Sequence, residues 1–238
     1  MERIYHQNYY ICSKGHEFSY DAGAIRRIYL EFPLGVIGAE IQIYFANGEM
    51  CWWKSKWISS YILQLGIAVS YDGKYVFAQT WENGLLCLDS HTGEVIWRTK
   101  SKRGITSIFV NDQTILCHQR ERALQLLDIH TGEVLAEKRP ATAWGFTALD
   151  HQHIICQVTA KRWEIIDAQT MQTLEVFSHK DFTGGYVDFC VNKIERTENG
   201  KLRVCGFKNV WDHSVKPAVM LPNLEFEHYV HSDILSQD

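Results

Sequence analysis

The chain has 238 residues, with 24 basic and 28 acidic side chains and a formal charge of −4. Apolar residues make up 46% of it and aromatic residues 13%, with only 4 prolines and 16 glycines, which excludes a disordered chain. This length holds one large domain or two small ones and is enough to bury a full core without disulfide or metal staples.

From the N-terminus, Glu2 and Arg3 are followed by no apolar run of the signal-peptide kind. The expectation is a cytoplasmic protein with no membrane partner. Tyr5–Cys12 reads as an isolated strand, and Ala24–Glu31, Val36–Phe45 and Met50–Trp57 read as the strands of an N-terminal sheet. The run Cys51–Trp57 holds three tryptophans and two lysines. Strand alternation puts Trp52 and Trp53 on opposite faces, one toward a core. The other, or Trp57, is left as a binding or base-stacking patch, with docking between sheets as the alternative. Ser59–Val69, the most apolar stretch, is broken by Gln64 and Gly66 and is far short of the roughly 20 residues that span a bilayer.

The middle of the chain repeats. Leu88–Ile96 returns as Leu127–Leu135 and, eroded, as Ile166–Leu174, with an offset of 39 residues each time (127 − 88 and 166 − 127). The flanks align without a gap: Val76, Ile115 and Ile154 coincide, as do Phe77, Leu116 and Ile155. Each copy holds four short apolar segments, in the first Gln64–Val69, Tyr75–Thr80, Leu85–Asp89 and Val95–Arg98. Four strands in about 40 residues is one blade of a β-propeller. The C-terminal segments Gly185–Ile194, Lys201–Lys208, Ala218–Leu221 and Glu225–Val230 complete a last blade. The expectation is an all-β chain, a single β-propeller domain over residues 1–238. Its five four-stranded blades fall at about 1–60, 61–100, 101–140, 141–180 and 181–238. Six blades at this period would take almost the whole chain. Tyr5–Cys12 is available to pair with the last blade and close the ring, which removes exposed sheet edges.

The seven cysteines, Cys12, Cys51, Cys87, Cys117, Cys156, Cys190 and Cys205, are widely spaced and odd in number, which argues against a disulfide framework. Cys117 and Cys156 share a repeat position with Ala78, and Cys87 shares one with Leu126 and Ile165, so these are packing positions. The turns of the repeat carry Asp89, Thr92 and Gly93, then Asp128, Thr131 and Gly132, then Asp167 and Thr170. The aspartate accepts backbone N–H bonds in an Asx turn and the glycine supplies a positive φ.

Asp89-x-x-Thr92-Gly93-x-x-x-Trp97 resembles the repeat of quinoprotein-type (PQQ-repeat) β-propellers. That resemblance implies a tryptophan of the outer strand docked between neighbouring blades. Ala46–Trp52 keeps the glycine-to-tryptophan spacing through Gly48 and Trp52, whereas the later copies carry Ala136 for tryptophan, then Met171 for glycine and Glu175 for tryptophan. The docking motif thus erodes along the chain. Quinoprotein dehydrogenases of this family hold PQQ with calcium and a pair of adjacent cysteines. This chain has no adjacent cysteines and is too short for their eight blades. No cofactor, no metal and no catalytic residue is expected, and none of the common nucleophile, phosphate-loop or zinc motifs occurs. His151 and His153 form a His-x-His pair, which by itself does not close a metal site.

Strand order sorts the loops by face. Blade-to-blade and second-to-third-strand loops carry Lys100, Lys102, Arg103, Arg120, Arg122, Lys138, Arg139, Lys161, Arg162 and Lys180, and the opposite loops are acidic. Trp81 and Trp144 fall on the basic side, and arginine with tryptophan is the composition of binding hot spots. The reading is a non-enzymatic propeller that binds another protein with an acidic surface through Trp81, Arg103, Arg120, Arg122, Trp144, Lys161 and Arg162. One form of it is a bacterial immunity protein that blocks a toxin domain. The plain alternative is an ordinary solvated set of turn residues. Gln79, His118 and Gln157 share one repeat position at the end of a second strand, which makes them candidates to hold a small ligand at the channel mouth. A nucleic-acid partner is a third reading, weakened by the charge of −4.

Overall fold

The computed structural model describes residues 7–12, 15–33, 38–58, 67–80, 84–99, 105–119, 123–138, 146–159, 162–183, 189–208, 211–212, 214, 219–220 and 224–236. The first sheet is an antiparallel meander of β1 (Gln7–Cys12), β2 (Gly15–Tyr20), β3 (Ile25–Glu31), β4 (Ala39–Phe45) and β5 (Met50–Ser55). The three repeat copies each give a four-stranded meander, the blade unit of a β-propeller. The second sheet holds β6 (Ile67–Val69), β7 (Tyr75–Thr80), β8 (Gly84–Asp89) and β9 (Val95–Arg98). The third holds β10 (Ile105–Val110), β11 (Thr114–Gln119), β12 (Leu124–Asp128) and β13 (Val134–Lys138). The fourth holds β14 (Phe146–Ala148), β15 (His153–Thr159), β16 (Arg162–Asp167) and β17 (Thr173–Ser178). One turn of helix, α1 (His179–Thr183), leads to β18 (Phe189–Arg196) and β19 (Lys201–Lys208). A two-stranded ribbon follows, β20 (Trp211–Asp212) with β21 (Val219–Met220), and β22 (Leu224–His231) then returns to β19. No helix among the described residues is long and apolar enough to cross a membrane.

Five sheets of blade size therefore stand among the described residues, and the two at the ends depart from four strands. For the described residues of Tyr5–Cys12, expected to pair with the last blade, the pairing found is within the first sheet. Its strand β1 hairpins onto β2, with Gln7 opposite Tyr20 and Cys12 opposite Gly15. A partner two residues away closes a far smaller loop than one at the other end of the chain. β2 escapes the sequence pattern because its only large apolar residues are Phe18 and Tyr20. At the other end, Ala218–Leu221 is not a blade strand. Val219 and Met220 pair with Asp212 and Trp211 in the ribbon, and Glu225–Val230 supplies the third strand of the fifth sheet.

The chain divides into two compact units, residues 1–146 with 168–171, and 147–167 with 172–238. In the first unit, Ile28, Leu30, Ile41 and Ile43 pack with Ile67, Val76 and Leu88, and a second cluster gathers Phe77, Leu85 and Cys87 with Ile115, Cys117 and Leu127. In the second unit, Ile155, Trp163 and Ile165 pack with Phe182, Ile194, Leu202 and Val204. Inner and end sheets differ in pattern. Gly84–Leu88, Ile115–His118 and Trp163–Ile166 are buried without interruption, as strands covered on both faces are. β4 and β19 alternate buried with partly exposed residues, as strands with one core face do.

The outer strands share one irregularity. Pairing shifts register at Cys87/Leu88, Leu126/Leu127 and Ile165/Ile166, the same repeat position in three blades. A bulge at this place re-aims the residue beyond it, which is Trp97 in the second sheet.

Candidate functional site

The turn of the second blade is held by one carboxylate. Asp89 Oδ1 accepts hydrogen bonds from the backbone N–H of His91 (2.9 Å) and Thr92 (2.8 Å) and from the Thr92 hydroxyl (3.1 Å). Asp128 repeats this with His130 (2.9 Å), Thr131 N–H (2.8 Å) and the Thr131 hydroxyl (3.0 Å). Burial opposes ionisation of Asp89, but the bonds from Thr92 and His91 outweigh it and hold the carboxyl below its ordinary range. The Thr131 N–H does the same for Asp128.

Each turn receives a tryptophan from the blade before it. Trp53 Nε1–H donates to the Ser90 carbonyl at 2.9 Å, and Trp97 Nε1–H donates to the Ile129 carbonyl at 2.9 Å. Gly93 and Gly132 lie under these rings at φ 71° and 70°. A Cβ at either would run into the indole, so glycine is required twice over. The docking residue of the first sheet is Trp53, 6% exposed, and not Trp52, which is 49% exposed. The Ala46–Gly48 turn is the reason. Gly48 N–H bonds back to Phe45, three residues away, whereas Gly93 N–H bonds back to Asp89, four away. The glycine therefore comes one residue early, and the spacing that is kept runs from the strand end, eight residues in both cases (53 − 45 and 97 − 89).

The eroded copies remain ordered. Met171 occupies the glycine position at φ 59°, a left-handed conformation unusual for a side chain with a Cβ, and is 7% exposed. Glu175, at the tryptophan position, accepts from the Ser232 hydroxyl (2.5 Å) and the Asp233 N–H (3.1 Å). Nearby in the second unit, Asp150 Oδ2 pairs with Arg196 Nη1 at 2.6 Å and with His153 Nδ1 at 2.8 Å, and Arg196 Nη2 reaches the Leu235 carbonyl at 3.0 Å. Burial works against the Asp150 charge, but hydrogen bonds from His153 and Gln152 overcome it and lower its pKa to about 2. His153 is thus engaged by a carboxylate. Among the described residues no three histidine, cysteine or acidic side chains gather as metal ligands.

Of the basic-face candidates, Trp81, Arg103, Arg120, Arg122, Trp144 and Lys161 lie outside the described residues. Arg162 is half-exposed and pairs at 2.7 Å with Glu164, a carboxylate only 3% exposed, so it covers a buried charge. His118 is fully buried and Gln157 half-buried, while the side chain of Gln79 lies outside the described residues. His118 therefore presents no open surface to a ligand. Burial pushes the Cys87 and Cys117 thiols up to about 12, which leaves them inert.

A cationic–aromatic cluster stands where the chain leaves β5 and at the end of β9. Lys56 Nζ lies 5.1 Å, and the Arg98 guanidinium 5.6 Å, from the centre of the Trp57 ring. Both cations are exposed, and among the described residues no carboxylate pairs with either. Beside them opens a groove of about 480 Å³, lined by Pro33, Glu40, Lys54, Trp57, Glu94 and Val95 among others. Sequence reasoning singled out Trp57 and passed over Arg98, because the last residue of a strand gives no loop signal.

Residues 40–177 match the family model PQQ_2, described as outer membrane protein assembly factor BamB. No curated protein matches the chain. Among solved structures, BamB from Moraxella catarrhalis shares 10% identity at a TM-score of 0.49, over 94% of this chain and 63% of that one. The computationally designed Ika8 protein shares 13% identity at 0.47, over 83% and 66%. The Cps50 (Swd1) β-propeller domain of Myceliophteria thermophila shares 12% at 0.49, over 76% and 62%. This chain thus spans less than two thirds of each of the three.

Proposed function

The chain belongs to the PQQ-repeat β-propeller family, the matched segment being more than half of its length, and on that footing we propose that it is a non-enzymatic protein-binding propeller whose partner presents an acidic surface. The observation that carries this reading is the pair Lys56 and Arg98, exposed, held over Trp57 and unmatched by any described carboxylate. Unpaired surface cations steer an acidic partner and raise its encounter rate. Arg98 continues in sequence into Lys100, Lys102 and Arg103. A cytoplasmic immunity protein that occupies a toxin domain is the most specific form of this reading. Small-molecule recognition around His118 finds less support, because that imidazole is fully buried.

The test is retention of a protein from native lysate on the immobilised chain at increasing salt. The expected result is an acidic protein whose retention falls with salt. It should fall about tenfold further when Arg120→Glu and Arg122→Glu reverse the basic face. Retention insensitive to both salt and charge reversal overturns the reading.

A further inference from the structure

The groove beside Trp57 has a definite chemistry. Trp57 and Val95 pack partly against the buried core of the first unit, and Ala39 behind them is 3% exposed, so the floor is apolar. Its volume of about 480 Å³ lies within the roughly 300–1,000 Å³ of clefts that take small ligands or a few side chains. Of its charged lining residues, Lys54 is neutralised by Glu40 at 2.6 Å. Among the described residues, the charges left unpaired there are Lys56 in the lining and Arg98 over Trp57, against Glu94. Of the strands that contribute to its lining, β5 and β9 are each the last of their sheet among the described residues. An edge strand offers N–H and C=O groups to an extended chain.

We propose that the groove is the seat of an extended acidic segment of the partner, with one apolar side chain on the Trp57–Val95 floor and flanking carboxylates on Lys56 and Arg98. This rests on the protein-partner reading and adds where on the chain the partner is held. Charge complementarity selects this occupant: a basic segment would meet two unpaired cations, and a neutral one would leave them unmatched.

The probe is the synthetic peptide Asp-Glu-Leu-Glu-Asp with blocked ends, compared with Asn-Gln-Leu-Gln-Asn, titrated into the full chain. The acidic peptide should bind about tenfold more tightly. The double variant Lys56→Glu with Arg98→Glu should abolish that preference. Glu94→Gln should strengthen acidic binding about threefold, a gain that misfolding does not produce. If Arg120→Glu with Arg122→Glu removes the preference while Lys56→Glu with Arg98→Glu leaves it intact, the groove is overturned and the acidic-partner reading stands. If the unaltered chain does not distinguish the two peptides, the groove is overturned, and the acidic-partner reading is decided by the salt dependence of retention.

Discussion

Two tryptophans and one glutamate stand at the same place in the repeat and tie a blade to the next by different physics. In the first unit, Trp53 and Trp97 bury an indole on a glycine and donate one hydrogen bond to a carbonyl. In the second, Glu175 has no ring to bury and accepts two hydrogen bonds, from Ser232 and Asp233. The donor and acceptor have changed sides, and the partner turn has changed with them: Ser232 offers a hydroxyl where Ser90 and Ile129 offer carbonyls. The dock is thus a position in the fold that more than one chemistry fills. An apolar ring contributes through area and packing, a carboxylate through charge-assisted bonds that also meet solvent.

The largest way to break this comparison is Trp97→Ala. Removing a buried indole should cost about 3–5 kcal/mol. The loss should appear as faster amide exchange in β8, β9 and β12, the strands around that dock, with little change in β19 and β22. A Gly132→Ala change should be costly in the normal chain because its Cβ strikes the ring, and cheaper once Trp97 is alanine. The second and third copies already carry that combination between them, with Ala136 in the second and Met171 in the third at the two positions. Equal costs for Gly132→Ala in both backgrounds would show that φ alone, not the ring, demands glycine.

Next in size is the ionic knot of the second unit. Arg196→Ala leaves the Asp150 charge buried with fewer partners and should cost about 2–3 kcal/mol. The pH dependence has a fixed sign. The Asp150 carboxyl is lowered in the fold from 3.8 to about 2, so its stabilisation is complete above the unfolded value. It is lost as pH falls from about 4 through about 2. The stability difference between the normal chain and Asp150→Asn should therefore shrink as pH falls across that window in urea titrations. A difference that does not move with pH would mean that Asp150 acts by shape alone. Glu175→Ala should cost less, about 1–2 kcal/mol, and Glu175→Gln roughly half of that because one acceptor oxygen is kept. A cost as large as that of Trp97→Ala would erase the distinction between the two docks.

How far these features could be read in advance depended on where their signal lies. The offset of 39 residues and the coincident apolar positions made the three inner blades plain, because a strand buried on both faces writes an uninterrupted run such as Leu85–Leu88. The end sheets were harder. A strand with one core face, like β2, shows only Phe18 and Tyr20, and the pairing of Val219 with Asp212 is not written in either segment. The turn motif was legible, but the substitution of Glu175 for tryptophan looked like decay because its partner, Ser232, is 57 residues away. Arg98 was silent for the same reason: only folding brings it to Trp57.

The smallest expected effect sharpens the comparison most. Trp52 and Trp53 are neighbours on one strand, and counting from Gly48 selects the first of them as the docking residue. Trp52 is 49% exposed, with Lys54 Nζ 5.3 Å from its ring centre, whereas Trp53 is 6% exposed and bonded to Ser90. An exposed side chain beside a lysine ammonium contributes little to folding, so Trp52→Ala should change stability by about 0.5 kcal/mol or less. Trp53→Ala should instead resemble Trp97→Ala. If Trp52→Ala proved the costlier of the two, the dock would follow the glycine and not the strand end. The eight-residue rule that unites Trp53, Trp97 and Glu175 would then fail at its first member.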